Sequence, residues 1–345
     1  MIRETCFPAL ICFLASCHSI RYMEVETYNP SEVTYPGSVR KVLIVNNTLP
    51  QPPEAGYEFT LLGVAQDTCT MNVDSAQFDA SRALGVAIAG TNFFDDVRLF
   101  HERTRKDNSF LQDVKLSREA VEAMCDEMGV EAVISFDRLL FGAKKKVTSY
   151  VEGYVEGVID IEVTGVVRSY IPGRTNPLIT LAVSDSLSFF EEAYNLDMLW
   201  GQLPAIDDAL RIAGRHIGNK VYDAFTPHWE TALRWYFTGI GAQWKEATAY
   251  VRGEKWDKAA ERWLYIHNHS RSTGAKASSA ANLALASEIG GDFEKALEWA
   301  KVSRDLFIES GGKEGQDAQR QEFYITTLEK RVLDDIKLNL QIREW

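Results

Sequence analysis

Two stretches of the chain, GEKWDKAAE at residues 253–261 and GGDFEKALE at residues 290–298, resemble each other. They start 37 residues apart and four of their nine positions are identical. The aromatic Trp256 of the first is matched by Phe293 of the second. Such internal similarity is the signature of stacked structural units, because one unit alone cannot bury its apolar face. The two stretches therefore predict an all-α repeat domain, which we place at residues 227–345.

The period, the glycine between helices and the alanines of these stretches resemble the tetratricopeptide repeat, a helix-turn-helix unit of about 34 residues. Alanines let two helices cross closely, and aromatic side chains fill the gaps between neighbouring pairs. Stacks of such repeats bind segments of other proteins, so the resemblance implies an adaptor or scaffold. The alternative is a helical bundle that only stabilises the rest of the chain. The expected packing positions are Tyr250, Trp256, Ala259, Trp263, Phe293 and Ala296.

Helices on both sides would complete the burial of the repeats. The stretch WETALRWYF at residues 229–237 is predicted to be a helix before the first repeat. Residues 316–342 are predicted to be a long closing helix. Its apolar stripe consists of Ile325, Leu328, Val332, Ile336 and Leu340.

The N-terminal residues have the features of a secretory signal. A helix needs about 20 apolar residues to span a bilayer, whereas the uncharged run here covers only residues 5–16 and contains Pro8. Arg3 precedes the run and small residues end it, which predicts a signal peptide at residues 1–16. The sequence Leu-Ala-Ser-Cys at residues 14–17 resembles the lipobox of bacterial lipoproteins. The resemblance implies that Cys17 is lipidated and becomes the new N-terminus.

The residues after Cys17 bear on the location of the protein. His18, rather than an aspartate, follows the cysteine, as in lipoproteins that are forwarded to the outer membrane. The acidic cluster of some surface-exported lipoproteins is missing from the sequence that follows, so we expect the periplasmic face. Residues 17–38, with Pro30 and Pro36, are predicted to be a tether.

Residues 39–226 are predicted to form an α+β domain with a mixed or antiparallel sheet and packed helices. The β-branched run VRKVLIV at residues 39–45 predicts a strand. Asp74 and Gln77 have the form of a capping box at the start of a helix. Ser117 and Gly129 are predicted to begin and end a second helix, and Pro204 to begin a third that stops before Pro227. Residues 93–94 and 97–100 are predicted to return as a strand, and further strands are predicted at 132–141, 148–154, 158–165 and 178–183.

The start KVLIV, the step Gly-Thr-Asn-Phe-Phe at residues 90–94 and the late helix before a proline resemble periplasmic lipoprotein domains. These are the domains of the curli-secretion-lipoprotein (CsgG-like) and TolB amino-terminal types. The resemblance covers about residues 39–226 and implies a fold, and it brings no catalytic residues with it. Together with the lipobox and the repeats, it resembles a family of envelope lipoproteins of Gram-negative bacteria.

Charge and cysteine content narrow the function classes. The net charge is −12, and residues 228–345 carry 17 Lys and Arg against 18 Asp and Glu, so the acidity lies before residue 228. A nucleic-acid partner is disfavoured, because phosphate binding requires a basic surface. Two cysteines, Cys69 and Cys125, remain after Cys17, which is too few for a disulfide framework. Cys125 is expected to be a buried thiol, and a bridge to Cys69 is left open.

Residue patterns for catalysis, a metal ion or a cofactor do not stand out. The sequence lacks the H-E-x-x-H, G-x-S-x-G and Walker motifs. His267 and His269 have the spacing of a strand metal site, but they fall at the end of a predicted helix, where their rings diverge. We therefore expect no enzyme, no metal and no cofactor. Ser75 and Ser186 lie in short patterns that resemble an O-glycosylation sequence.

The hypothesis from the sequence is a non-enzymatic scaffold lipoprotein of the outer membrane whose repeats bind an envelope protein. One alternative is a regulator of cell-wall synthesis resembling LpoB, in which the α+β domain contacts the enzyme. Another is a nutrient-capture lipoprotein resembling SusD, which is disfavoured because those proteins are longer and place their repeats first. A hydrolase with paired carboxylates is the least favoured class.

Overall fold

The computed structural model of the chain describes residues 19–66 and 69–343. The predicted signal peptide and Cys17 lie outside the described residues. The described strands are β1 Ser19–Asn29, β2 Lys41–Asn46, β3 Glu58–Leu61, β4 Val64–Ala65, β5 Asp96–Leu99, β6 Ala132–Ser149, β7 Val155–Tyr170, β8 Ile179–Ala193 and β9 His228–Thr238. The described α-helices are α1 Asp74–Gly90, α2 Arg118–Met128, α3 Leu196–Gln202, α4 Ile206–Lys220, α5 Ala242–Arg252, α6 Trp256–His269, α7 Thr273–Ile289, α8 Phe293–Gly311 and α9 Gln316–Arg343.

The chain divides into two compact units. Of the described residues, the sheet unit comprises 30–66, 69–228 and 340–343, and the helical unit comprises 19–29 and 229–339. The predicted fold class is confirmed at this level: an α+β region with a sheet precedes a region of several helices.

The sheet unit is built on a seven-stranded mixed sheet. The long strand β6 pairs in parallel with β2 and then with β3 along one edge, and antiparallel with β7 along the other. β5 extends the sheet beside β2 in parallel, while β4 and β8 pair antiparallel with β3 and β7. The register of β6 and β7 shifts between Phe136 and Arg138, which places a β-bulge at Asp137.

Helices cover both faces of this sheet around β2. The larger core lies under α1 and α4, which pack closely because α4 carries glycines where it crosses α1. A Cβ atom on Gly214 would come within 2.2 Å of the Ala76 carbonyl oxygen, so a larger residue does not fit there. α2 covers the opposite face with Val121 and Cys125 over Leu43.

The predicted helix signals are confirmed for α2 and corrected for α1. The Ser117 hydroxyl accepts a hydrogen bond from Ala120 N, and Gly129 ends α2 with a left-handed φ of 59°. In α1, by contrast, the capping box is wrong. Asn72 accepts from Asp74 N, and the buried Gln77 amide donates to carbonyl oxygens elsewhere in the sheet unit. The side chain of Gln77 therefore satisfies buried backbone carbonyl groups and does not cap the helix.

The separate strand predicted at residues 148–154 is also wrong. β6 continues to Ser149, and the chain then turns between Tyr150 and Tyr154, whose rings stack at 4.7 Å. The β-branched residues at 147–148 therefore belong to one long strand rather than to the start of a new one.

In the helical unit, α5 to α8 form two consecutive hairpins in which each helix packs on the next. Two predictions for the surrounding segments are wrong. Residues 19–29, predicted to be part of a tether, and residues 229–237, predicted to be a helix, are the strands β1 and β9 of a two-stranded ribbon. The Tyr, Val, Thr and Trp residues of these segments favour strands, and pairing between residues 200 positions apart in the sequence overrides the local helical period.

Candidate functional site

The two hairpins have the same turn, which places the repeated sequence at equivalent positions. Gly253 N donates to Ala249 O in the first turn, and Gly290 N donates to Ala286 O in the second, at 3.2 and 3.0 Å. The following residues, Glu254 and Gly291, both have left-handed φ angles, of 55° and 78°. A period of 37 residues therefore relates the backbone hydrogen bonds and the left-handed residues of the two turns.

The predicted packing positions fall into two groups. Ala259, Ala296 and Trp263 are buried between helices. Tyr250, Trp256 and Phe293 are only partly buried. Tyr250 lies under the Lys258 ammonium at 5.9 Å, and Phe293 under the Arg331 guanidinium at 4.7 Å.

Trp256 lines a groove of about 360 Å³ that runs between α6 and α8 across the end of α7. We call it the tryptophan groove. Trp256 and Trp299 both line it, together with small or aliphatic side chains. These are Ala260, Leu264, Leu283, Ala286 and Gly290. Leu264 has 42% of its surface exposed, and Ser287 also lines the groove. A lining of this composition can accept an apolar side chain.

The rim of the tryptophan groove is acidic. Asp257, Glu261 and Asp292 face one cation, Lys295, and all four are exposed. The Asp292 carboxylate also caps α8, because it accepts a hydrogen bond from Lys295 N. The excess of two negative charges favours a basic segment over an acidic one.

A buried ion cluster fixes the ribbon to the helices. Arg234 of β9 donates to both carboxylate oxygens of Glu288 on α7, at 2.7–3.1 Å, and Tyr324 OH of α9 donates to the same carboxylate at 2.6 Å. Burial lowers the pKa of Arg234, but the hydrogen bond and charge of Glu288 outweigh this and raise it. Burial and the Glu288 charge raise the pKa of Tyr324 well above its usual value. Sequence reasoning missed this cluster, because its members lie on three separate elements.

An amide side chain completes the same attachment. Asn282 of α7 accepts from Phe237 N and donates to Phe237 O, both at 2.7 Å and both buried. The amide thus satisfies the β9 backbone as a neighbouring strand would.

The sheet unit has a second buried carboxylate. Asp137, fully buried at the bulge of β6, accepts from Ser135, Asn47, Arg168 and Tyr170 at 2.5–2.9 Å. These four hydrogen bonds tie β6 to β7 and to the residue after β2, so the carboxylate stabilises the sheet unit.

The histidines singled out in the sequence do not converge. His267 Nδ1 contacts Lys276 O at 3.2 Å and its ring meets Trp299 edge-on. His269 stacks on Tyr265. Among the residues that the structure describes, no group of three or more His, Cys, Asp or Glu side chains is arranged to hold a metal ion.

The two cysteines do not form a bridge with each other. Cys125 is buried in the core under α2, and burial raises the pKa of its thiol to about 11. The backbone of Cys69 pairs with that of Tyr57 in an isolated antiparallel β-bridge. Ser75 is exposed in the first turn of α1 and Ser186 on β8, and their glycosylation stays a prediction.

No helix within residues 19–66 and 69–343 has both the length and the apolar character needed to cross a membrane. The predicted stripe of α9 is buried at Ile325 and Leu328 and exposed at Ile336 and Leu340.

Comparisons with known proteins match both regions of the chain to domain families. Residues 39–237, more than half of the chain, match a domain of unknown function, DUF8603. Residues 245–330, from α5 into α9, match a second domain of unknown function, DUF6340. No curated protein matches the chain. By the extent of the first match, the chain belongs to the DUF8603 family.

Proposed function

We propose that this chain is a non-enzymatic adaptor, tethered to the periplasmic face of the outer membrane by lipid on Cys17, that binds an envelope protein through its helical unit. The tryptophan groove is the observation that carries the proposal. Its two indoles and small apolar lining residues suit an apolar anchor residue, and tryptophan is enriched among the few interface residues that carry most of the binding energy. The acidic rim selects a partner segment with Lys or Arg beside that anchor.

A tetratricopeptide-like stack is part of the proposal. The matched turns and the buried alanines Ala259 and Ala296 support it. The partner is then a segment held between consecutive hairpins, as stacked repeats hold their ligands.

The groove is tested with the full chain carrying a photo-crosslinking side chain beside it. A fragment that starts at residue 228 would lack β1 and is unsuitable. Leu264→Arg and Glu261→Lys should each lower recovery of the cross-linked partner from intact envelopes at least tenfold, which corresponds to about 1.4 kcal/mol. Val302→Arg is the matched control, because Val302 is 39% exposed on α8 and does not line the groove. A partner recovered equally with all three variants contradicts the proposal.

The tether is tested by Cys17→Ser. Without acyl chains, the chain should move from the membrane fraction to the soluble periplasmic fraction, since each buried methylene contributes about 0.8 kcal/mol to membrane binding. Retention of the variant in the membrane fraction would disprove lipid anchoring at this cysteine.

A second candidate function rests on the sheet unit. Leu62, Tyr150, Val151 and Tyr194 are exposed apolar side chains at one end of the sheet, and Val151 is fully exposed at the β6–β7 turn. Exposed clusters of this kind mark interaction sites. They support a regulator resembling LpoB, in which this unit contacts a cell-wall enzyme.

The two candidates make opposite predictions for paired variants. An adaptor that acts through the groove loses its partner with Leu264→Arg and keeps it with Val151→Arg. A regulator that acts through the sheet end does the reverse.

A further inference from the structure

The strand β8 has an unpaired edge of unusual length. It pairs along Ile179–Ala193 with β7 and with no other described strand. The other edge strands of the sheet, β4 and β5, are much shorter, with two and four residues. A 15-residue edge presents a row of backbone N–H and C=O groups that another strand can pair with.

β8 has acidic residues but lacks the lysine, proline and bulge that commonly block such an edge. ITLAVSDSLSFFEEA contains no Lys, Arg, Pro or Gly, and proteins commonly use lysine, proline or a bulge to prevent edge pairing. Its register with β7 continues without a bulge from Val155↔Ala193 to Ser169↔Ile179. The backbone of this edge is therefore regular, without a bulge or proline that would prevent pairing.

The core-facing row of β8 is incompletely covered. Val183 and Leu187 are only partly buried, whereas Ile161 and Val163 on the adjacent strand β7 are buried. The apolar side chains of the sheet thus extend to the β8 edge, where they remain partly exposed to solvent. An additional strand would cover this row and gain about 25 cal/mol for each Å² of apolar surface that it buries.

The one charge in the middle of β8 is already paired. Asp185 accepts from Lys220 Nζ at 2.7 Å and contacts His216 Nε2 at 3.0 Å, both from α4. The Lys220 hydrogen bond is the main reason that the pKa of Asp185 falls to about 2. An incoming strand consequently meets a neutralised carboxylate.

We propose that two copies of this chain pair through β8, antiparallel and centred on Ser186, so that their sheets become continuous. A two-fold axis at this serine brings Ser184 opposite Ser188 of the second copy on the open face. The acidic residues Asp185, Glu191 and Glu192 then pair with Leu187, Leu181 and Thr180 of the second copy, so no two carboxylates lie directly opposite each other. The three central serines are small, which lets the two strands approach without steric conflict.

The second copy is favoured over a different protein because Ser186 is the midpoint of Ile179–Ala193, so that two copies centred there pair along all 15 residues of the edge. Isologous interfaces require one surface to match its own image after a two-fold rotation, and in this register none of the three acidic residues of β8 pairs directly with another acidic residue. The inference concerns the sheet unit and is independent of the function proposed for the tryptophan groove.

The position of the axis is tested by cross-linking the full chain in intact envelopes with a short bis-maleimide. Ser186→Cys places two thiols opposite each other and should give a dimer as the main product on a denaturing gel. Ser184→Cys should give far less dimer. In the proposed register Ser184 is opposite Ser188 of the second copy, so the two introduced thiols are four residues apart along the strands. Thr164→Cys is the matched control, since Thr164 pairs with Ser184 from the inner strand β7. The wild-type chain measures the background from native cysteines.

The energetics are tested by native mass spectrometry of the purified full chain. Ser186→Lys puts two ammonium groups at the axis and should weaken the dimer at least tenfold, whereas Thr164→Lys, on β7, should leave it unchanged. The proposal is overturned if the wild-type chain is monomeric, or if Ser186→Cys yields no more dimer than Thr164→Cys. It is also overturned if Ser186→Cys cross-links only to a different protein, which would make β8 a docking edge for another partner.

Discussion

The hairpin α5–α6 and the hairpin α7–α8 share a backbone and differ in what is attached to it. Their turns have the same hydrogen bonds, and the same buried alanine, Ala259 or Ala296, lies in the second helix of each. The polar anchors occur only in the second hairpin. Asn282 and Glu288 hold the ribbon there, whereas Lys245 and Val251 occupy the equivalent positions of the first.

This difference separates two kinds of sequence information. The repeated residues specify a helix pair and recur because each pair solves the same packing problem. The residues that break the repeat specify what each pair is joined to. Exchanging residues between the hairpins therefore tests which of them belong to the repeat and which to the attachment.

The largest effect is expected from Glu288→Val, which gives the second hairpin the residue of the first. Arg234 would remain buried without its carboxylate, and breaking one side of a buried ion pair costs about 3–5 kcal/mol. Denaturant unfolding of the full chain, with hydrogen exchange in β9, α7 and α9, measures the loss. The control is Glu246→Val, which removes a partly exposed pair with Arg262 at 3.1 Å and should cost about 1 kcal/mol or less. Equal losses in both variants would show that Arg234 is rehydrated at little cost.

The next effect is expected from Asn282→Ala. The variant leaves the N–H and C=O of Phe237 buried without partners, and each such group costs about 1–3 kcal/mol. We expect a loss of roughly 2–3 kcal/mol and faster amide exchange in β9. Asn268→Ala, at an exposed position of α6, is the control. Unchanged exchange in β9 would contradict the role of the amide as a substitute strand.

The sequence predicts the hairpins well because their determinants are local and periodic. An alanine and an aromatic residue 37 positions from their counterparts suffice to locate both turns. The same holds for α2, because Ser117 and Gly129 are the residues that flank this single helix. The predicted burial of the α9 stripe is correct at Ile325 and Leu328, which pack with alanines of α7 and α8, and wrong at Ile336 and Leu340, which are exposed.

The ribbon and the buried carboxylates could not be predicted in the same way. β9 has apolar residues at a helical spacing, and only its pairing with β1, more than 200 residues earlier, decides that it is a strand. A usable signal did exist in β1, whose residues SIRYMEVETYN are rich in strand formers and contain no glycine or proline. Asp137 gave a weaker signal, as a lone acid inside the apolar run of β6.

The shared alanines should respond alike if the two hairpins are truly equivalent. Ala259→Leu and Ala296→Leu each add three carbons at a closely packed helix crossing, and overpacking of this kind costs about 1–3 kcal/mol. We expect losses of about 2 kcal/mol that agree between the variants within about 0.5 kcal/mol. Ala249→Leu, at an exposed position of α5, should change stability little. A large difference between the two buried positions would mean that the repeat is shared in sequence but not in packing.

The smallest effect is expected at the turns, where the first hairpin has Glu254 and the second has Gly291 in the same left-handed conformation. Gly291→Glu should cost about 1 kcal/mol, because a Cβ at this position meets open space and only the backbone conformation opposes it. Glu254→Gly relieves that strain but loosens the unfolded chain, so we expect a smaller gain of about 0.5 kcal/mol. The double exchange should then nearly cancel in urea unfolding. If Glu254→Gly destabilises the chain instead, the glutamate side chain makes a contribution at its own turn that outweighs its backbone strain, and the two turns are alike in geometry but not in energy.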